Sequence, residues 1–394
     1  MKLLSVNAGS SSLKFKMYEM PEEKVLISGY VERIGSKSSF YSITLNGEKI
    51  KKEKLIKNHE DAVNILIDEL FENNIIESLD EIKGVGHRLV HGGDKYPNSV
   101  IITEDVITEA EKLKDLAPLH VPANLLCVRA FQKLTPNATE VAIFDTAFHQ
   151  TIEKDKFIYA VPSEWYKEYG VRKYGFHGTS HKYVSKRAAE ILGKEDLKLI
   201  ICHIGSGGSL SAVKNGKCID TTMGFTPNSG IVMGTRSGDI DYGMIPYIMN
   251  KTGMTLEEVD SKLNKESGLL GISEVSNDWR DVEKALKEGN EDAKLASEVM
   301  FNSIAGYIAK YFVELEGADA ICFTAGLGEN ASYVRKNVCD RLKALNVFLD
   351  EEVNKKTILG EEGLISSEES KIPVYVIPTD EELMMARDTL ELLD

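Results

Sequence analysis

The chain of 394 residues contains 42% hydrophobic and 28% charged residues and carries a formal net charge of −15 at pH 7. This composition is typical of a globular protein, and the negative charge argues against binding to nucleic acid or to anionic membranes. We find no apolar stretch of about 18 residues and no signal-peptide pattern, so we expect a cytoplasmic protein. The five scattered cysteines lack metal-ligand spacing, which predicts reduced thiols.

Two similar segments, one in each half of the chain, indicate an internal duplication. Residues 3–19 read LLSVNAGSSSLKFKMYE, and residues 199–217 read LIICHIGSGGSLSAVKNGK. Alternating apolar residues on both sides of a Gly- and Ser-rich loop predict a β-hairpin in each. Most such loops are only turns, but their N–H groups and hydroxyls can also surround phosphate oxygens. The matched pair favours two related domains that bind a polyphosphate, at residues 1–149 with 383–394 and at residues 150–382.

The next motifs supply an arginine and a carboxylate. Residues 85–93 read VGHRLVHGG, and a strand here would place Arg88 and Val90 on one face. A guanidinium beside a small apolar side chain suits a substrate with a carboxylate at one end and a methyl group at the other. The alternative is a surface arginine on an edge strand. Further on, VAIFDTAFH predicts a buried strand that delivers Asp145 to its carboxyl end, where α/β sheets place catalytic groups.

Two histidines four residues apart in YGFHGTSH, His177 and His181, raise the alternative of a zinc site. The glycines around His177 predict a loop, and Ser180 is the expected N-cap of the following helix, so the pattern disfavours zinc. We predict that His177 forms a hydrogen bond with a phosphoryl or carboxylate group and that His181 is structural. Downstream, Arg236 lies in the loop MGTRSGDID, where its charge could stabilise a phosphoryl group during transfer.

A third glycine loop occurs at residues 318–328, which read ADAICFTAGLG. The pattern predicts a strand, then Gly326 and Gly328, then a helix with Asn330 as its N-cap. Such an arrangement suits a nucleotide, although the Walker A and Rossmann spacings are absent.

Near the C-terminus, VYVIPTDEELMM predicts a strand and then a helix capped by Thr379 with acidic residues in its first turn. Acidic residues at this position normally offset the helix dipole. One of them, together with Asp145, could also hold Mg²⁺, which needs few carboxylates when phosphate oxygens and water complete its coordination.

With these motifs in view, the sequence resembles the acetate and butyrate kinase family over essentially its full length. The segments that carry the resemblance, in family order, are NAGSSSLK, GHRLVHGG, FDTAFHQT, YGFHGTSHKYV, HIGSGGS, MGFTP, MGTRSGDID, AGLGEN and PTDEE. The resemblance implies an α/β, duplicated actin-like (ribonuclease H-like) two-domain kinase fold of the ASKHA type, and a homodimer. It also implies magnesium-dependent, direct in-line transfer from ATP to acetate, giving acetyl phosphate and ADP, with Mn²⁺ as a possible substitute.

The resemblance further implies roles for individual residues. The residues implied for ATP and ADP are Asn7, Ser10, Ser12, Lys14, His203, Gly205, Ser206, Gly207, Gly326, Gly328 and Asn330. The implied catalytic residues are Arg88, Asp145, His177 and Arg236, with the two arginines beside the transferring phosphoryl group. The residues implied for the metal are Asn7, Asp145 and Glu381. The residues implied for the substrate are Arg88 and a methyl pocket of Val90, Leu119 and Pro227.

Three positions depart from the usual pattern of this family. Ser206 and Asp380 stand where asparagine is usual, and residues 228–230 read NSG in place of LEG. A propionate or butyrate kinase is the nearest alternative, because one methylene changes discrimination by only about 1–3 kcal/mol. A non-catalytic, Hsp70-type ATPase module would need a peptide-binding domain, and a sugar kinase would leave Arg88 beside Val90 unexplained.

Overall fold

The computed structural model describes residues 1–117 and 120–393. The chain forms two compact units, residues 1–150 with the C-terminal residues from 380 onward, and residues 151–379. The sequence placed the boundaries after residues 149 and 382. The second boundary lies earlier because the last helix, Glu381–Glu391, packs along strands of the first unit. Within the described ranges, no helix is both long enough and apolar enough to cross a membrane.

The first unit is built on a mixed β-sheet. Its strands are β1 (Lys2–Ala8), β2 (Ser12–Glu19), β3 (Lys24–Glu32), β4 (Phe40–Leu45), β5 (Glu48–Glu53), β6 (Ile82–Leu89), β7 (Val100–Ile101) and β8 (Thr139–Phe144). Its helices are α1 (His59–Glu72), α2 (Glu104–Lys112), α3 (Val121–Leu134) and, at the end of the chain, α15 (Glu381–Glu391). The strand order is β5-β4-β3-β2-β1-β6-β8-β7.

The second unit has a sheet of its own. Its strands are β9 (Lys198–Ile204), β10 (Gly208–Lys214), β11 (Lys217–Thr221), β12 (Ala320–Thr324), β13 (Gly363–Leu364) and β14 (Val374–Val376), in the order β11-β10-β9-β12-β14-β13. Its helices are α4 (Lys154–Phe157), α5 (Ser163–Tyr169), α6 (Gly178–Leu192), α7 (Met244–Thr252), α8 (Leu256–Lys265), α9 (Gly268–Ser273), α10 (Trp279–Lys287), α11 (Glu291–Glu314), α12 (Ala325–Asn330), α13 (Ser332–Asp340) and α14 (Glu351–Lys356).

Both sheets contain the same core, β3-β2-β1-β6-β8 in the first and β11-β10-β9-β12-β14 in the second. In each core the first three strands are antiparallel and the last three are parallel. The two predicted hairpins are β1–β2 and β9–β10, joined by the Gly- and Ser-rich loops. The duplication predicted from these loops is therefore confirmed by the strand order of both units.

Buried apolar residues hold each sheet against its helices. In the first unit Leu4 and Val6 of β1 are at most 1% exposed and pack in one cluster with residues of α1 and α3. In the second unit Ile200 and Cys202 of β9 pack with residues of α11, including the fully buried Ile304. Burial of each large side chain contributes about 1.5–3 kcal/mol. Because the last three strands of each core are parallel, their carboxyl ends meet at one edge, where α/β proteins place ligands.

Candidate active site

At the carboxyl edge of the first sheet, three side chains from neighbouring strands meet. Asn7 lies near the end of β1, Arg88 near the end of β6, and Asp145 directly follows β8. The Arg88 guanidinium donates from Nε to Asp145 Oδ1 at 2.8 Å, from Nη2 to Oδ2 at 2.6 Å, and from Nη1 to Asn7 Oδ1 at 3.1 Å. Such a bidentate pair fixes the plane of the guanidinium. The prediction that β8 delivers Asp145 to this edge is confirmed.

The Arg88–Asp145 pair is largely removed from solvent. Asp145 is 2% exposed. Burial by itself lowers the pKa of Arg88, but the Asp145 carboxylate outweighs burial and holds that pKa above its ordinary range. The Asp145 carboxylate therefore favours the charged form of Arg88, and removal of either residue would leave a poorly solvated charge.

Glu382 belongs to an ion-pair cluster at the start of α15. Its carboxylate lies 3.2 Å from Lys14 Nζ and 3.6 Å from Lys16 Nζ. Burial raises its pKa, but the two lysines outweigh burial, so that its pKa is lowered. Lys16 also contacts Asp380 Oδ1 at 2.9 Å, and the Asp380 carboxylate accepts a first-turn N–H at 3.1 Å. Asp380 is thus the N-cap of α15, and the predicted cap at Thr379 is wrong.

The neighbouring Glu381 lies in the opposite environment. In the part of the chain that the structure describes, no side chain donates a hydrogen bond to its carboxyl group. Glu381 keeps some accessible surface, yet burial by the surrounding protein raises its pKa to about 7. The Arg88 charge opposes this shift, and the Asp145 and Glu382 charges add to it. A carboxyl group that is half protonated near neutrality beside another carboxylate would be fully ionised by a nearby cation.

The first Gly/Ser loop, residues 9–12, joins β1 to β2. The Gly9 N–H donates to the Ser12 carbonyl at 2.8 Å, and an added Cβ at Gly9 would lie 2.7 Å from Ser12 Oγ. A side chain at position 9 would therefore displace the Ser12 hydroxyl. Ser10 and Ser12 are exposed, so their hydroxyls are accessible to a ligand.

The second Gly/Ser loop, residues 205–207, follows β9 and is one residue shorter than the first. The Gly205 N–H donates to the Gly207 carbonyl at 2.9 Å. Ser206 is exposed at the tip, and its carbonyl accepts the Gly234 N–H at 3.1 Å. This contact joins the loop to the segment that carries Arg236.

Arg236 and His177 both lie beside Gly207. A Cβ added to Gly207 would lie 3.2 Å from Arg236 Nη1 and 3.6 Å from His177 Nε2. Arg236 Nη1 donates to the Pro227 carbonyl at 3.2 Å, but within the described residues no carboxylate pairs with the guanidinium. Burial lowers the pKa of Arg236. A half-buried guanidinium that lacks a carboxylate and lies beside a glycine loop is a suitable site for an anion.

His177 is the N-cap residue of α6 and has a left-handed backbone, with φ of 61°. A non-glycine residue in this conformation costs about 1–2 kcal/mol, and such strain is typical of functional sites. The His177 ring stacks on that of His203, with 4.2 Å between centroids. Ser180, the predicted N-cap, lies inside the helix instead, where its Oγ contacts His203 Nδ1 at 2.8 Å and Thr379 Oγ1 at 2.9 Å.

The third glycine loop differs from its prediction. Helix α12 begins directly after β12, and the Glu329 carboxylate accepts the Ala325 N–H of its first turn at 2.8 Å. Asn330 is the last residue of α12 and caps no helix. A Cβ at Gly326 would meet nothing within 4 Å, whereas one at Gly328 would lie 3.4 Å from a β9 carbonyl oxygen. Gly326 thus borders open space, while Gly328 serves close packing.

The structure tests the three residues of the predicted methyl pocket to different extents. Leu119 lies outside the described residues. Val90 is 7% exposed, but β6 ends at Leu89, so the alternation used to place Val90 beside Arg88 does not extend to it. Pro227 belongs to the second unit, where its carbonyl holds Arg236.

Sequence reasoning missed two groups of residues. Asn124 of α3 donates from Nδ2 to the Ala8 carbonyl at 2.6 Å and accepts the Val90 N–H at 3.3 Å, which ties the end of β1 to the segment after β6. No local pattern marks an asparagine inside a helix for this role. Ser209 and Ser211 were also missed, although the alternation in GGSLS places both on one face of β10.

The repeated strand order and the glycine loops at both carboxyl edges define the duplicated, actin-like α/β fold. The family model described as the Acetokinase family matches residues 2–387. Acetate kinases from Geobacillus sp. (strain WCH70) and Geobacillus kaustophilus are 54% and 55% identical over 393 residues, covering 99% of this chain and 98% and 99% of theirs. This chain therefore belongs to the acetokinase family.

Solved structures agree with this assignment. The crystal structure of Porphyromonas gingivalis acetate kinase matches with a TM-score of 0.94 at 45% identity, covering 100% of each chain. A propionate kinase from Francisella tularensis matches with a TM-score of 0.94 at 40% identity over 99% of each chain. The predicted fold class is thus confirmed.

Proposed function

We propose that this chain is an acetate kinase that transfers a phosphoryl group reversibly from ATP to acetate, by direct in-line transfer, to give acetyl phosphate and ADP. The observation that carries the proposal is Arg236, a half-buried guanidinium that has no carboxylate partner in the described part of the chain and lies beside the Gly207 loop and His177. This group supplies positive charge where phosphoryl transfer needs it. Membership of the acetokinase family supports the same reaction.

The two Gly/Ser loops and the residues beside them are our proposed nucleotide site. Their N–H groups and hydroxyls, together with Lys14 Nζ, would bind phosphate oxygens, and the open space at Gly326 would take part of the nucleoside. The residues assigned to the loops are Asn7, Ser10, Ser12, Lys14, His203, Gly205, Ser206 and Gly207. Gly328 would support Gly326 through close packing, and Asn330 would support it through the hydrogen bond that Asn330 Nδ2 donates to the Gly326 carbonyl at 3.0 Å.

Arg88, Arg236 and His177 are our proposed catalytic donors to the transferring phosphoryl group. Its equatorial oxygens carry the charge of the transition state, and preorganised donors there contribute most of the catalysis. Asp145 holds Arg88 in one orientation, so that this donor requires no reorganisation. His177 would contribute a hydrogen bond from Nε2, the nitrogen beside Gly207.

We further propose that Asp145, Glu381 and the Asn7 amide oxygen hold Mg²⁺, with Mn²⁺ as a substitute. Within the described ranges no three histidine, cysteine or acidic side chains form a metal-binding group, so phosphate and water would complete the coordination. Mg²⁺ prefers this kind of site. The carboxyl group of Glu381, with its pKa raised to about 7, fits a cation that would let it ionise. When bound, the metal would neutralise charge on the phosphate oxygens.

A propionate kinase is the second candidate, because a propionate kinase shares the fold at 40% identity. Val90, Leu119 and Pro227 are the proposed methyl pocket, and one methylene changes discrimination by only about 1–3 kcal/mol. A single assay tests both candidates. Acyl phosphate is trapped with hydroxylamine after incubation with ATP, Mg²⁺ and, in parallel, acetate, propionate, butyrate or glycerol.

We expect the highest kcat/KM with acetate and no product with glycerol. Val90→Ala should shift the ratio of kcat/KM values toward propionate. The Arg236→Ala protein, purified in the same way, is the control for contaminating kinase activity. The absence of acyl hydroxamate with every acid would contradict the proposed function.

A cytoplasmic homodimer is part of this proposal, and the surface of the second unit supports the dimer. Helix α7 reads MIPYIMNKT, yet none of its residues is buried. The α7–α8 patch, as we call this surface, contains the exposed side chains of Ile240, Tyr242, Met244, Tyr247, Ile248 and Leu256. A short apolar helix needs packing to be stable, and homodimer interfaces are apolar and poor in charge. A second copy of this chain is the occupant that we propose.

Light scattering after gel filtration tests the dimer. Tyr247, 61% exposed within the patch, is replaced by Asp, and Val313, 74% exposed on α11, is replaced by Asp as the control. We expect a dimer for the wild type and the control and a monomer for Tyr247→Asp. A monomeric wild type, or a dimer that survives the charge in the patch, would contradict the assignment.

A further inference from the structure

A buried chain of hydrogen bonds leads from the interior of the second unit to His177. Ser211 Oγ lies 2.7 Å from His181 Nδ1, and His181 Nε2 lies 2.8 Å from Ser209 Oγ. Ser209 Oγ in turn lies 2.9 Å from His177 Nδ1. Ser209, Ser211 and His181 are all 0% exposed. The relay, as we call Ser211–His181–Ser209, thus ends on the nitrogen of His177 that is remote from the Gly207 loop.

The alternation of side chains along β10 and the helical repeat of α6 bring these residues together. Ser209 and Ser211 are alternate residues of β10 and so lie on one face of the strand. His177 caps α6, and His181 follows one helical turn later on the same side. The two rings therefore reach the same strand, and a single serine hydroxyl contacts both.

The burial of the two hydroxyls determines the direction of the hydrogen bonds. The hydrogen of a buried hydroxyl group is normally donated to an acceptor. In the described part of the chain, the structure gives Ser211 Oγ one partner, His181 Nδ1, so Ser211 donates its hydrogen to that nitrogen. A neutral His181 then carries its hydrogen on Nε2 and donates it to Ser209 Oγ. Ser209 must donate its own hydrogen to His177 Nδ1, which leaves the hydrogen of His177 on Nε2.

We infer that Ser211, His181 and Ser209 are positioning residues that hold neutral His177 as its Nε2–H tautomer. This inference rests on the proposed function for its purpose, since the Nε2–H group beside Gly207 and Arg236 is the donor assigned to the phosphoryl group. The opposite tautomer would present a lone pair to an anion and repel it. The relay therefore selects an anion-binding imidazole without a positive charge on the ring.

The test on the unmodified protein is ¹⁵N NMR of histidine-labelled wild type at pH 8, with His177 assigned from the spectrum of His177→Gln. One- and two-bond couplings distinguish protonated from bare ring nitrogens. We expect His177 and His181 both to carry hydrogen on Nε2 and to have a bare Nδ1. A hydrogen on Nδ1 of His177, or on both of its nitrogens, would overturn the inference.

Ser209→Ala tests the consequence for activity. Loss of the donor should give a mixture of His177 tautomers and lower kcat by about 10- to 100-fold, the usual effect of losing a residue that orients a functional imidazole. The KM values for ATP and acetate should change by less than about threefold. Ser209→Thr keeps the hydroxyl and should restore both the tautomer and kcat.

The matched control is Ser297→Ala. Ser297 is 1% exposed on α11, and its hydroxyl donates only to a carbonyl of its own helix. We expect its NMR pattern and kcat to match the wild type. If Ser209→Ala lowered the melting temperature but left the tautomer and kcat unchanged, Ser209 would be merely structural and the inference would fail.

The inference and the proposed function fail in different ways. A wild type without kinase activity but with His177 as the Nε2–H tautomer would remove the proposed function and leave the relay intact. An active kinase with the opposite tautomer would do the reverse.

Discussion

The two units each place an arginine near the carboxyl edge of the sheet, but the two guanidinium groups are held in different ways. Arg88 in the first unit forms a bidentate pair with the buried Asp145. Arg236 in the second unit donates to a proline carbonyl and has no carboxylate partner among the described residues. The pKa values follow this difference, because Asp145 raises that of Arg88 while burial lowers that of Arg236.

The two arginines therefore differ in whether their charge is balanced by the protein itself. The Arg88 charge is neutralised within its unit, so the pair contributes to the folded state before any ligand arrives. The Arg236 charge has no carboxylate partner among the described residues, and the phosphoryl group that we propose as its ligand would supply the opposite charge. In a chain with a net charge of −15, which repels anions at long range, such a local cation would favour the binding of an anion.

Arg88→Ala should have the largest effect, since it removes a donor and also leaves Asp145 buried without its partner. We expect kcat to fall by about 10²–10³-fold. We also expect the free energy of unfolding to fall by about 3 kcal/mol, the usual loss when one member of a buried pair is removed. Enzyme kinetics and urea denaturation measure the two effects.

The double variant Arg88→Ala/Asp145→Asn is the control for the structural part. Removing the second charge should restore most of the stability but none of the activity. If Arg88→Ala were as stable as the wild type, the ion pair would not contribute to the folded state and the contrast between the arginines would be lost.

Arg236→Ala should lower kcat by a similar factor of about 10²–10³ but should leave the stability unchanged or slightly raised. No carboxylate that the structure describes loses its partner, and the variant removes a charge without a described counter-ion from a half-buried position. The same pair of measurements applies. A variant with normal kcat and only a raised KM would make Arg236 a binding residue and contradict its catalytic role.

Gly326→Ala should raise the KM for ATP about tenfold, corresponding to about 1.4 kcal/mol, with no loss of stability. The new methyl group would meet no protein atom within 4 Å, so only a bound nucleotide would feel it. Gly306→Ala in α11, where an added Cβ also meets nothing within 4 Å, is the matched control and should leave KM unchanged. Equal KM values for the two variants would place the nucleotide away from Gly326.

The prediction for Glu381 concerns the pH dependence of stability in the absence of ligand. Its pKa is raised from 4.5 to about 7 in the folded state. Between these values the unfolded chain releases the proton and the folded protein retains it, so this group destabilises the fold progressively as the pH rises toward 7. The melting temperature of the wild type should therefore fall relative to that of Glu381→Gln between pH 5 and pH 8.

Glu382→Gln is a control with the opposite sign, because the pKa of Glu382 is lowered. The stability that Glu382 contributes is present above its unfolded pKa and is lost as the pH falls through its folded pKa. The Glu382→Gln protein should be less stable than the wild type at pH 8, and the difference should shrink in acid. If Glu381→Gln behaved in the same way, the distinct environments assigned to the two glutamates would be wrong.

The local features of the fold could be predicted from the sequence. Period-two alternation around Gly and Ser gives the two hairpins, and an apolar run before Asp145 gives β8 and its exit at the sheet edge. These features depend on backbone periodicity and on the conformational freedom of glycine, both of which are encoded within a few neighbouring residues. The family resemblance rests on the same short motifs.

Helix ends were less predictable, because several nearby groups compete for the same backbone N–H. Thr379, Asn330 and Ser180 are all good N-cap types, yet each binds another partner or lies within or at the end of a helix. Asp380 caps α15, and its pairing with Lys16 across the first unit stabilises that choice. Tertiary contacts thus determined which of several residues with similar N-cap preference caps the helix.

By itself, the sequence determined the duplicated strand–loop–strand pattern, the glycine loops and the identity of the candidate arginines, histidines and carboxylates. Only the tertiary structure decided their partners: Asp145 for Arg88, the two lysines for Glu382, and Ser209 for both His177 and His181. The physical reason is that the sequence pattern specifies which face of an element a side chain occupies. The charge and hydrogen-bond balance of that side chain depends on residues far away in the chain, which only packing brings within reach.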